Sequence, residues 1–303
     1  MESTLPLSFP NLSKLWQVLT YGEREQLLAE AQLTATTRPE PDHALAADPG
    51  LLLLRAGLAA DPWQQDILRA RAQRVLLLCS RQSGKSTTTA AMALWEALYS
   101  APALVLLLSP SYRQSGELFR KVVQLYGDIG APVSAASATT ERLELVNGSR
   151  IVSLPGNERT VRSFSGVSLL VIDEAARVPD ELYYSVRPML AVSGGRLVGL
   201  STPWGKRGWF HHEWTEGGDG WRRVRVTASD CPRITPDFLA QERASLGDWW
   251  YRQEYACEFV DTVDQLFAYD EIMAAISADV QPLFGAPAEV AALAGGDLWA
   301  TSF

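Results

Sequence analysis

Val75-Leu76-Leu77-Leu78-Cys79-Ser80-Arg81-Gln82-Ser83-Gly84-Lys85-Ser86 is the stretch that decides the fold. The apolar run reads as a buried strand, and Thr87 to Tyr99 beyond it reads as a helix. Between them lies a phosphate-binding loop of the pattern G-x-x-x-x-G-K-[ST], with Cys79 where the pattern has its first glycine. In such a loop Gly84 lets the backbone approach a phosphate, Lys85 reaches the β and γ oxygens, and the Ser86 hydroxyl ligates Mg²⁺. Ser83 and Thr87 flank them as further nucleotide contacts, and the helix turns its first N–H groups toward the anion. With four lysines against twenty-three arginines in the chain, a lysine at this position is not an accident of composition.

Outward from the loop the pattern alternates. Strand-like runs at 75–80, 104–109, 169–174 and 196–201 are separated by helix-like segments at 85–99, 112–127 and 180–191. Continuous apolar strands between helices predict an α/β fold with a mainly parallel sheet covered on both faces. Residues 142–154 interrupt the series with a hairpin turned at Asn147-Gly148. One more strand is expected at 221–228 and a helix at 236–259, whose aromatic residues read as core. Upstream, Leu15 to Ala31 reads as a helix, Thr34 to Pro49 as a linker, and Asp61-Pro62 as the start of a helix running to about Ala72.

The 303 residues carry a net charge of −8, which is not the balance of a free-standing nucleic-acid binder. Contact with DNA would have to come from local groups such as Arg222-Arg223 with Arg225, Lys206-Arg207 or Arg120-Lys121, or from an assembly. No apolar run approaches the ~20 residues that span a bilayer. The N-terminus has no basic stretch of a signal peptide, and Cys79, Cys231 and Cys257 are too widely spaced for a disulfide framework or a zinc site.

The second chemical piece is Leu169-Leu170-Val171-Ile172-Asp173-Glu174, a buried strand ending in two carboxylates where open α/β sheets bind ligands. Asp173 would hold Mg²⁺ through water, and Glu174 would orient and deprotonate the water that attacks the γ-phosphate. Ser201 and Thr202, after the strand 196–200, sit where hydroxyls can sense that phosphate, or else form a capping turn. Gln64 has an amide suited to reading adenine, or is polar surface at a helix start. Arg81 and Arg162 are candidate cations for the charge that develops on the γ-phosphate.

The order of these pieces resembles the large terminase subunit of tailed bacteriophages: Trp63-Gln64, Ser80-Arg81-Gln82-x-Gly84-Lys85-Ser86, Asn147-Gly148-Ser149, Arg162, Val171-Ile172-Asp173-Glu174-Ala175 and Ser201-Thr202-Pro203. Gln253-Glu254-Tyr255 with Glu258-Phe259 is similar to the pattern that closes that family's ATPase lid. The resemblance implies a P-loop NTPase of the ASCE/RecA-like type, ATP and Mg²⁺ as cofactors, and hydrolysis that drives double-stranded DNA into a procapsid. It implies a homo-oligomeric ring on a portal protein with a small terminase subunit as partner, no membrane, and the cytoplasm of a bacterial host. Arg162 would then serve a neighbouring subunit. The expected organisation is an N-terminal helical segment and linker (1–54), an ATPase core (55–205), a lid (206–260), a linker (261–290) and, from Gly295-Gly296-Asp297-Leu298, the start of an RNase H-like nuclease domain cut short at 303. No nuclease activity is expected. A helicase-like translocase would need a second motor domain, and a non-enzymatic nucleotide switch would have no use for Glu174.

Overall fold

The computed structural model describes residues 42–155, 164–261 and 274–275. The expected helix at 15–31, Arg162 and the segment around Asp297 lie outside the described residues. The chain divides into two compact units, up to Val260 and from Asp261 onward, and the sheet with its helices belongs to the first.

Eight strands form one sheet in the order β3-β4-β5-β2-β6-β7-β1-β8. They are β1 (Arg74–Cys79), β2 (Leu104–Ser109), β3 (Ala135–Ala138), β4 (Arg142–Leu145), β5 (Arg150–Pro155), β6 (Leu169–Asp173), β7 (Arg196–Ser201) and β8 (Arg222–Val226). From β5 to β8 every pairing is parallel, and β3 and β4 add antiparallel strands at one edge. The helices are α1 (His43–Ala47), α2 (Leu52–Arg55), α3 (Pro62–Arg69), α4 (Lys85–Tyr99), α5 (Tyr112–Asp128), α6 (Asp180–Val186), α7 (Gly208–Thr215), α8 (Pro236–Leu246) and α9 (Asp248–Glu254).

The strand period of two explains the two cores. Val75, Leu77 and Cys79 of β1 join Val105, Leu107, Leu169 and Val171 under α3, α4 and α5. Leu76 and Leu78 join Leu106, Leu108, Leu170 and Ile172 under α6 and α7 on the other face. Gly199 of β7 leaves room there: a Cβ would stand 3.0 Å from the Trp209 ring, which lies flat on Tyr183 at 3.9 Å.

Three expectations need correction. The second half of the expected linker is packed: Asp42 caps α1 by accepting from Leu45 N–H, Trp95 Nε1 donates to the Leu45 carbonyl, and Leu45 and Pro49 are buried. The strand expected at 221–228 is present as β8, which pairs with β1 through Val75–Cys79 and extends the sheet. The helix expected over 236–259 is broken at Gly247 (φ 81°), and its aromatic residues are half-buried or, at Phe238 and Trp250, exposed. Proline at 188 ends the α-helix expected over 180–191, which continues only as a 3-10 turn over Arg187–Leu190.

Candidate active site

The tips of β6, β7 and β1 stand side by side, because Asp173 pairs with Leu200 and Leu78 with Ser201. Asp173, Ser201 and the loop Ser80–Gly84 therefore meet at one edge of the sheet. β7 lies between the strand that carries the loop and the strand that carries the carboxylates.

Cys79 explains its own departure from the loop pattern. It still belongs to β1, its φ is not positive, and its side chain is fully buried in the core. Burial pushes its thiol up to about 12, so it is neutral and serves as a small apolar filler. Gly84 does need to be glycine, with φ +90° and a Cβ position 2.7 Å from Gln64 Nε2. Gly84→Ala is expected to lower the melting temperature, since such backbone strain costs about 1–3 kcal/mol, and to weaken nucleotide binding. Thermal unfolding and nucleotide titration check this, and wild-type values in both would contradict it.

The loop is held from three sides. Ser83 Oγ donates to the Ser80 carbonyl at 2.9 Å. Arg233 makes a two-pronged ion pair with Asp61 (2.8 and 2.7 Å) and reaches the Ser83 carbonyl at 3.4 Å. Arg81 Nε donates to Glu254 Oε2 at 2.6 Å. Gln64 packs over Gly84; its Oε1 accepts from Asp61 N–H at 2.8 Å and its Nε2 donates to Thr88 Oγ1 at 2.9 Å. With both ends of its amide bonded inside the protein, Gln64 shapes the loop.

Lys85 Nζ stands 3.8 Å from Glu174 Oε1, and Arg177 Nε stands 3.9 Å from Glu174 Oε2. Glu174 takes a left-handed backbone (φ 49°, ψ 43°), uncommon outside glycine, and this turns the chain sharply at the strand tip. Its N–H donates to Asp173 Oδ1 at 2.9 Å. Thr202 is buried, Ser86 is half-buried, and the Thr87 hydroxyl accepts from Lys121 Nζ at 3.5 Å. The hydroxyls of Ser80, Ser109 and Ser201, all at strand tips, are buried with no hydrogen-bond partner among the described residues.

Burial, and then the neighbouring Glu174 charge, push the Asp173 carboxyl up to about 6. A raised acid favours the folded state when protonated, and that contribution is lost as pH rises through about 6. Asp173→Asn is therefore expected to raise the melting temperature of the metal-free protein at about pH 8 and to change it little near pH 4. Equal shifts at both values would contradict this.

Arg233 and Arg177 carry no motif signal; only their contacts reveal them. Several of the basic groups read as DNA candidates make local contacts. Arg223 and Arg225 bond backbone carbonyls, Arg120 pairs with Glu117, and Lys121 turns to Thr87.

A phosphate loop and a paired carboxylate strand on a mainly parallel α/β sheet, with one strand between them, define a P-loop NTPase fold. Residues 76–274 match the family described as terminase large subunit, T4likevirus-type, N-terminal, and the chain belongs to it. The terminase large subunit of Thermus phage G20c is 27% identical over 241 residues, covering 68% of this chain and 50% of that protein. The chain thus spans about half the length of the relatives it matches. The large terminase ATPase domain of Thermus phage P74-26 superposes with a TM-score of 0.60 at 22% identity, over 69% of this chain and 97% of that one. The large terminase of a thermophilic bacteriophage in complex with ADP superposes at 0.51 with 14% identity, over 70% and 53%. These superpositions speak to the fold.

Proposed function

We propose that this chain hydrolyses ATP to move double-stranded DNA into a viral procapsid, as the motor portion of a large terminase subunit. The observation that carries the reading is the meeting of Lys85, Asp173 and Glu174 at one sheet edge beside a backbone loop shaped for phosphate. The large terminase of the thermophilic bacteriophage, of related fold, has been solved with ADP and with ATP-gamma-S.

In this reading the triphosphate lies along Ser83–Thr87, with Lys85 on its β and γ oxygens. Glu174 takes the proton of the attacking water, typically worth about 10²–10⁴-fold. Ser201 and Thr202 face the γ-phosphate from the adjacent strand tip. The base enters a cleft of about 520 Å³ beside the loop, where Arg233, Ile234, Phe238 and Tyr255 follow β8. Phe238 and Tyr255 meet there edge to face at 6.2 Å and offer an aromatic wall. Asp173 and Ser86 present hard oxygen donors suited to Mg²⁺. Among the described residues no three potential ligands of the His, Cys, Asp or Glu type come together, which fits a cation completed by phosphate and water. When bound, Mg²⁺ neutralises charge on the β and γ oxygens.

The partners that follow from the family are double-stranded DNA, a portal protein, a small terminase subunit and further copies of this chain in a ring, in the cytoplasm of a bacterial host. Among the described residues no helix is long and apolar enough to cross a membrane. The test is ATP hydrolysis with and without double-stranded DNA. Turnover that DNA stimulates is the expected result; no turnover with magnesium and DNA present would overturn the reading.

A further inference from the structure

Glu174 stands between two cations and bonds neither, with Lys85 at 3.8 Å on one oxygen and Arg177 at 3.9 Å on the other. Arg177 is itself fixed. Its backbone N–H donates to the Glu174 carbonyl at 2.8 Å, and its guanidinium lies 4.1 Å from the centroid of the Trp204 ring. Arg207 approaches the same ring at 5.9 Å. Arg177 Nε is buried and has no hydrogen-bond partner among the described residues. A buried unpaired donor costs about 1–3 kcal/mol, and the Glu174 carboxylate lies just beyond bonding range of it. Trp204 follows Ser201-Thr202-Pro203 directly, so the ring that seats Arg177 rides on the strand tip that faces the γ-phosphate.

We propose that Arg177 is a positioning residue for Glu174 and that Trp204 sets where Arg177 stands, which ties the strand tip at Ser201–Thr202 to the orientation of the base. This rests on the ATPase reading above. Once Lys85 is committed to phosphate, Arg177 is the remaining cation within 4 Å of the Glu174 carboxylate among the described residues, and it offsets the repulsion from the polyanion. Closing the gap between Arg177 Nε and the carboxylate needs a movement of about 1 Å, the scale at which a misplaced group loses about 10²-fold in rate. Arg177 touches neither water nor phosphate in this scheme, and its effect passes wholly through Glu174.

The experiment measures kcat, KM and ATP affinity for Arg177→Ala, Trp204→Ala, their double variant and Trp204→Phe, with melting temperatures alongside. Arg177→Ala and Trp204→Ala are each expected to lower kcat about 10- to 100-fold and to leave ATP affinity within about twofold. The double variant should be no worse than the poorer single one, because both changes break the same link. Trp204→Phe, which keeps an aromatic face, should retain most of the rate. Should Arg177→Ala fail to fold, Arg177→Lys keeps the stem and the charge without the planar face, and a fall in kcat at unchanged affinity is again expected. Unchanged kcat, a parallel loss of ATP affinity, or additive losses in the double variant would each overturn the proposal. A wild-type protein that does not turn over ATP fails the ATPase reading instead; wild-type turnover with indifferent variants fails this inference alone.

Discussion

Mixing Arg162→Ala protein with Glu174→Gln protein is expected to restore ATP turnover that neither has alone. Arginines that reach a transferring phosphoryl group from a neighbouring subunit contribute about 10³–10⁵-fold where they act, so Arg162→Ala alone should be close to inactive. In a mixed ring some interfaces join an intact base on one subunit to an intact Arg162 on the next, and those should turn over. A role in trans is what the resemblance to the large terminase family implies for Arg162, which lies outside the described residues. Arg81, by contrast, belongs to the loop itself, so its loss should not be rescued by mixing with any partner that keeps a defective base. Turnover should also rise steeply with protein concentration. If the mixture stays as inactive as its components while both variants assemble, Arg162 does not act across the interface.

Glu174→Gln and Lys85→Ala should separate binding from chemistry. In the proposed mechanism Glu174 acts on the water, so Glu174→Gln is expected to keep ATP binding and to lose turnover by about 10²–10⁴-fold. It also removes the charge that faces Lys85 and Arg177, while the side chain keeps its length. Lys85 is buried beside the loop and, in the proposed mechanism, holds the phosphates, so Lys85→Ala should weaken both binding and turnover. Equilibrium binding of a non-hydrolysable ATP analogue and steady-state hydrolysis, measured on both variants, decide the matter. Near-normal turnover in Glu174→Gln would remove Glu174 from its role as base.

The parallel sheet was legible because its strands are buried on both faces, which makes 104–109 and 169–173 almost uninterrupted apolar runs. The Asn147-Gly148 turn and the loop before α4 were legible for local reasons, as was the helix over 85–99. Less visible were elements whose identity comes from tertiary pairing. Ala135–Ala138 is a strand of small residues held by β4, with a register shift, and nothing in Ala-Ala-Ser-Ala asks for that. The Arg-Arg-Val-Arg-Val pattern of β8 reads as a strand but does not say which strand it joins; the fold places it beside β1. The site divides in the same way. Lys85, Asp173 and Glu174 sit in motifs whose chemistry fixes their spacing, whereas Arg233, Arg177 and Trp204 owe their places to contacts between distant segments. Gln64 shows the converse: a motif position whose amide, in the folded chain, is bonded to Asp61 and Thr88.

The clamps on the phosphate loop come from far downstream. Ser83 meets Arg233 across 150 positions, and Arg81 meets Glu254 across 173. During synthesis at about 5–20 residues per second, the loop leaves the ribosome roughly 10 to 30 s before Glu254 does. In that interval the nascent chain carries the loop with its local restraints from Ser80 and Gln64, and β7, β8 and Arg233 are added before the Glu254 clamp arrives last. The complete grip on the loop is thus a late acquisition of the growing polypeptide, and a fragment cut short of Glu254 would leave Arg81 without its ion pair.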